Sequence, residues 1–412
     1  MKQVNDEIPI EETFEPFLKD KSKGKDGTGG NYRRNVEREL DNFKQWAEGS
    51  ERSYSGVVPD DEDRKPLMKD LTDSEFRKYA RHLRSERGLK ANTAQTYYQY
   101  ISSWCGWCEG EEYIQSHFAD RARAKEPLPE SDRKPGDQQA WSQTQRNQIT
   151  QYINKKGYET VDEYRSHDLD SSERKAIRYP AIRDARDRAF VNIIAYTAVR
   201  IGELLRDPND PRRKGLIWDD VNLDEGTILV YRKKQDWDSI ALSPAVSQSL
   251  ERYYNVIEPP SGQWPVFPTF HQPTLSSLVN EELKRRGNSE SEINQAQDSY
   301  SHDLLLALEE NIIPKSTSTD GGRNILKKLS EEAGVEIDDP KHTYLAPHGG
   351  RRGLGEVLVQ AKGYTVAARY LDNSEEMVRK RYSHIEPGEM GDIITEAIED
   401  DKTERTPSTK TD

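Results

Sequence analysis

A chain in which one residue in three is charged has few places to put its apolar side chains, and here they gather in runs such as AFVNIIAYTAV at residues 189–199. A run of that length suits a buried helix. With 33% of residues hydrophobic the core supply is lean, but such runs distinguish the chain from a disordered one. At 412 residues it exceeds what one hydrophobic core normally serves, so two domains with tails are expected. No run approaches the roughly 20 apolar residues of a membrane helix. The start, MKQVNDEIPIEETFEP, lacks the apolar stretch of a secretory signal, so the expected location is cytoplasmic. The two cysteines, Cys105 and Cys108, supply at most half of a zinc site and read as helix-face residues; no metal site is expected.

Residues 1–30, ending in KSKGKDGTGG, read as a flexible lead-in. Residues 31–120 carry apolar positions at three-to-four spacing in NYRRNVERELDNFKQWAEG and LTDSEFRKYARHLRSERG, two helices each stopped by glycine. KANTAQTYYQYISSWCGWCEGEEYI adds a helix with an aromatic stripe (Tyr97, Tyr100, Trp104, Trp107), read as core packing. Its polar face, with Lys90, Asn92 and Gln95, is a candidate DNA-binding surface. Residues 121–141, with three prolines, a glycine and no periodicity, read as the interdomain linker. Residues 142–390 form the expected second domain. Ser142 opens a helix, a long helix follows to about Arg206, and GLIWDDVNLDEGTILVYRKKQDWDSIALSP makes a small antiparallel sheet of about three strands. Helices resume at Pro244, while the stretch from about Gly287 to Tyr300 and STSTDGG read as loops. Residues 391–412 are expected to be a C-terminal helix and acidic tail.

The formal charge of −13 looks adverse for a partner such as DNA. Residues 1–29 contribute −2 and residues 386–412 contribute −6, leaving −5 for the body. Abundant Asp and Glu with few Cys and Met resembles the composition of proteins from salt-loving archaea, where acidic surfaces say nothing about the partner.

Four segments carry the chemistry. TAVRIGELL (197–205) presents Arg200 and Glu203; VYRKKQDWDSIAL (230–242) is a strand-turn-strand with Lys233 and Lys234 in the turn; PHGGRRGLGEVL (347–358) presents His348 and Arg351; YLDNSEEMVRKRYSHI (370–385) presents Asn373 and Tyr382. In this order, with Arg351 and Tyr382 31 residues apart, they resemble the boxes of the tyrosine recombinase (phage integrase) family. The likeness extends over roughly residues 31–390. The resemblance implies a mainly α fold with a small antiparallel sheet: a helical, SAM-like core-binding domain followed by a catalytic domain of the DNA breaking-rejoining fold.

It also implies roles. Two planar guanidiniums, Arg200 and Arg351, would hold the non-bridging oxygens of a phosphodiester as negative charge grows on them. His348, at a helix start favourable to phosphate, would take the phenolic proton or hold the phosphate. Tyr382 would attack phosphorus and form a 3′-phosphotyrosyl enzyme without ATP or cofactor. The family's general acid is a lysine in the β-turn. Counting back from Leu242 places it at Lys233, and a shift of one residue would place it at Lys234. Glu203 would orient a neighbour. One departure stands out: the family's usual Leu-Gly-His-Ser reads Leu371, Asp372, Asn373, Ser374 here, and Asn373 can donate a hydrogen bond but cannot exchange a proton.

The reading is a site-specific recombinase clamped on double-stranded DNA, acting as a homotetramer on paired sites, with the helix GEMGDIITEAIED as an arm to a neighbouring subunit. The rival readings are a non-catalytic DNA-binding protein on the same fold and a telomere-resolving or type IB topoisomerase-like enzyme.

Overall fold

The computed structural model describes residues 4–22, 29–49, 56–58, 64–130, 137–339 and 341–385, arranged as two compact units. The expected arm at residues 388–400 and the tail at 391–412 lie outside the described residues.

The first unit spans Met1–Arg133 with Asn209–Arg212. It contains α1 (Phe14–Lys21), α2 (Asn31–Ala47), α3 (Asp73–Arg81), α4 (Ala91–Gly110) and the short α5 (Ala122–Lys125). Its core is aromatic: Phe43 meets Tyr79 edge-on at 4.8 Å and stacks on Phe76 at 5.8 Å. Trp104 is fully buried and its indole N–H donates to Thr13 at 2.9 Å. Phe14, Phe17 and Leu18 belong to this core, which corrects the expectation of a flexible lead-in through residue 30. That expectation weighed the Gly- and Lys-rich end of the segment over the apolar spacing of its start. Cys105 and Cys108 are buried free thiols on α4, and burial pushes the Cys105 pKa up to about 12, so neither is a poised nucleophile.

The second unit spans Lys134–Pro208 and Arg213–Asp412. It opens with α6 (Gln143–Arg165), started by a reciprocal capping box between Ser142 and Gln145, and α7 (Ser171–Tyr196), started by another between Asp170 and Glu173. α7 ends at Tyr196; residues 197–200 run extended before α8 (Ile201–Leu204), so the single helix expected to reach Arg206 is in fact broken. The three-stranded antiparallel sheet has the order β1 (Val221–Asn222), β2 (Thr227–Tyr231), β3 (Trp237–Ala241), with Ile228 opposite Ile240 and Tyr231 opposite Trp237. The rest is helical: α9 (Pro244–Ile257), α10 (Gln272–Arg285), α11 (Glu290–Asp298), α12 (Asp303–Glu309), α13 (Thr319–Glu332), α14 (Pro347–Tyr370) and α15 (Glu375–Tyr382). α14 is interrupted at Gly363, whose φ is +76°.

Of the two segments read as loops, the first forms a helix and the second is helical from Thr319 onward. α11 is started by a capping box between Ser289 and Glu292 and anchored by buried Ile293, while Ser318 caps α13. The linker is also narrower than residues 121–141. Ala124 is buried in the first unit and Trp141 in the second.

Candidate active site

The break after α7 creates the first wall of the site. Arg200 occupies the N-cap of α8; its backbone N–H donates to Glu203 Oε2 and its Nη1 to Oε1, both at 2.8 Å. The Glu203 carboxylate is fully buried and also accepts from Arg232 Nη1 at 3.2 Å. Arg232 in turn donates through Nε to Asp238 at 3.0 Å. The Arg200 pairing with Glu203 is therefore real, but the acid is shared, and Glu203 orients two guanidiniums. Arg232 was missed in the sequence. Its signal was the alternation of β2: Ile228 and Val230 point inward, and Arg232 continues that register.

α14 brings the second wall. Arg351 is 5% exposed, and its two terminal nitrogens donate to the carbonyls of Ala198 and Leu371. It thereby ties the extended segment before Arg200 to the turn before Tyr382. Burial, then the charge of Arg200, pushes its pKa down to about 10, with Glu203 compensating in part. Arg351 has five N–H donors, so three remain after these two bonds. His348, three residues earlier, is exposed. Loss of hydration is the larger influence on its ring, followed by Arg352, Arg351, Arg200 and Arg381, and together they push its pKa down to about 4. The guanidiniums are the influence that an arriving phosphate would cancel.

The third wall is the turn between α14 and α15. Asp372 has a φ of +45°, a left-handed conformation that Asp tolerates better than most residues and that suits the glycine of the resembled motif. Its carboxylate accepts from Lys234 Nζ at 2.9 Å and lies 3.8 Å from Arg200 Nη1. Burial works against its charge, yet the bond from Lys234 and the nearby cations hold its pKa below the ordinary value. Asn373 donates its backbone N–H to Ala368, and its side chain has no hydrogen bond among the described residues. Ser374 caps α15, which ends at Tyr382. The phenol is 2% exposed in a cluster with Ala198, Val359, Leu371 and Val378, and burial raises its pKa. Its hydroxyl lies on Gly355, where any Cβ would overlap it.

Arg200, Glu203, His348, Arg351 and Tyr382 are thus brought into one neighbourhood, with Arg232 and Asp372 added. Lys234 reaches it through Asp372. Lys233 is exposed in the turn, with no hydrogen bond or ion pair among the described residues. In the first unit Lys90 and Asn92 are exposed at the start of α4, whereas Gln95 donates to the Pro129 carbonyl at 2.8 Å. Among the described residues no group of acidic, His or Cys side chains could hold a metal, and no helix is long and apolar enough to cross a membrane.

No family model matches the sequence, and no curated protein is similar to it. Solved structures do match. The Tn1549 transposon integrase in complex with transposon right-end DNA superposes with a TM-score of 0.51 at 15% identity, over 94% of this chain and 100% of that one. A lambda integrase dimer bound to a COC′ core site gives 0.50 at 11% identity, over 91% and 95%. The same Tn1549 integrase with circular-intermediate DNA gives 0.50 at 15%, over 94% and 99%. A helical first unit, followed by a helical second unit with a three-stranded antiparallel sheet, gives this chain the fold of the tyrosine recombinases and integrases.

Proposed function

We propose that this protein is a site-specific DNA recombinase that breaks and rejoins duplex DNA through a 3′-phosphotyrosyl intermediate. The observation that carries the reading is Arg351: a buried guanidinium with three N–H groups to offer, beside Arg200 and a neutral imidazole, tied directly to the turn that leads to Tyr382. Arg200 and Arg351 take the non-bridging oxygens of the scissile phosphate, where paired charge-assisted hydrogen bonds strengthen as the transition state gains charge. His348, neutral at pH 7, accepts the phenolic proton or bonds to the phosphate. The Tyr382 oxygen forms a bond to phosphorus, the bond to the 5′ oxygen breaks, and a lysine of the β2–β3 turn protonates the leaving oxygen. Lys233 fits the counted position; Lys234 is the one held toward the site, by Asp372. Attack by a DNA 5′-hydroxyl reverses the steps, so no ATP or metal is needed. Asn373 adds an amide contact to the phosphate, and Lys90 and Asn92 lie on the backbone of the DNA.

The partner is double-stranded DNA, bound by a homotetramer on paired sites. The lambda integrase neighbour is a dimer on a core site, which supports assembly on DNA. A nicked duplex that traps the cleaved strand tests the chemistry. The expected result is a covalent protein–DNA band for the wild type and none for Arg351→Ala; no band for the wild type at any salt would refute it. A second reading, DNA binding without cleavage, is favoured by one observation, the Asp372 carboxylate among the cations that would take the phosphate. Tight binding without a band would select that reading. Relaxation of supercoiled DNA lacking a specific site would instead select a topoisomerase.

A further inference from the structure

The helix that presents His348 and Arg351 does not set its own position. Residues 139–141, at the entry to the second unit, lie along its first turns. The Gln139 amide donates to the Tyr344 carbonyl at 2.9 Å and accepts from the Ala346 N–H at 2.6 Å. The Trp141 indole N–H donates to the Ala346 carbonyl at 2.9 Å, and its backbone N–H donates to Gly349 at 3.0 Å. The Gln139 carbonyl accepts from Arg352 Nη1 at 2.9 Å. Trp141 is fully buried.

The glycines of α14 match this strap. A Cβ at Gly349 would come within 2.6 Å of Trp141 Cδ1 and 2.7 Å of Gln139 Oε1, and one at Gly353, a turn later, would overlap the Trp141 carbonyl. Side chains on that face would push the strap off, so the pair of glycines marks a close approach of two backbones. The first turns of a helix also carry N–H groups without internal partners. Here a side chain from 207 residues away satisfies the one at the N-cap.

We propose that Gln139 and Trp141 are positioning residues for His348 and Arg351, holding α14 in the rotation and axial setting that turns both side chains toward the phosphate. This rests on the recombinase reading for its purpose but not for its geometry. Arg352, the guanidinium that acts most strongly on His348, is itself bonded to the strap, so loosening the strap moves that charge away from the imidazole.

The titration of His348, followed by NMR and assigned by its loss in His348→Asn, tests this without reference to activity. In Gln139→Ala and in Trp141→Phe, which keeps an aromatic ring but removes the indole hydrogen bond and the contact with Gly349, the midpoint is expected to rise toward the ordinary histidine value by about one pH unit. A midpoint unchanged in both variants overturns the proposal. On the nicked duplex the same variants are expected to form the covalent band roughly tenfold more slowly with DNA affinity unchanged. Failure of the wild type to form any band would overturn the recombinase reading, while the titration would still decide the role of the strap.

Discussion

Asp372 places an anion 2.9 Å from Lys234 and 3.8 Å from Arg200, where the recombinase proposal puts the phosphate. Asn has the same tolerance for a left-handed backbone, so Asp372→Asn removes charge without straining the turn. Duplex binding is expected to tighten roughly threefold to tenfold at low salt, measured by fluorescence anisotropy; unchanged affinity would mean that the carboxylate swings away when DNA arrives. His348 makes a second prediction, about stability. Its pKa is about 4 when folded and close to 6.5 when unfolded, so the unfolded chain binds the proton more readily between these values. Stability is full above pH 6.5 and falls as the pH drops from 6.5 to 4. The urea midpoint should fall less steeply over that window in His348→Asn than in the wild type.

The candidate residues that the sequence singled out and the structure brings together, Arg200, Glu203, His348, Arg351 and Tyr382, sit in short boxes where local spacing carries the signal. Gln139 and Asp372 were not legible as site residues, because their roles come from partners more than a hundred residues away. Asn373 drew attention as the departure from the motif, while its neighbour Asp372 makes the contacts.

At the scale of elements, the packing of α15 on α14 depends on Gly355, whose missing side chain is the space taken by the Tyr382 hydroxyl. Gly355→Ala is expected to cost about 1–3 kcal/mol, the usual penalty for overpacking. Thermal denaturation should show a fall of roughly 3–10 °C, at the rate typical of a domain this size. A melting temperature equal to that of the wild type would show that the phenol does not rest on Gly355. Periodicity identified the long amphipathic helices and the sheet, because those signals extend over several turns or strands. It missed α11 and the first turn of α13, where helix formation depends on a serine cap and few apolar contacts. It also carried the helix past Tyr196, since Ala198 and Val199 continue the apolar run. The end of the helix at Tyr196 is what leaves the Ala198 carbonyl open to Arg351.

For the whole molecule, the net charge of −13 bears on how the DNA binding proposed above would respond to salt. If the acidic surface is a salt adaptation, binding would lean on hydrogen bonds and shape more than on counterion release. Site binding should therefore persist into molar potassium chloride in equilibrium titrations, and a steep loss between low and molar salt would contradict this. Composition and patterning led to the expectation of two domains, and the structure forms two compact units. The chain has 20 tyrosines, so a covalent band alone would not identify the nucleophile. The most direct measurement is peptide mass mapping of the protein–DNA adduct after nuclease trimming. The expected result is a nucleotide remnant on the peptide containing Tyr382 and no adduct from Tyr382→Phe; a remnant on any other tyrosine, or an adduct that survives that substitution, would contradict the account.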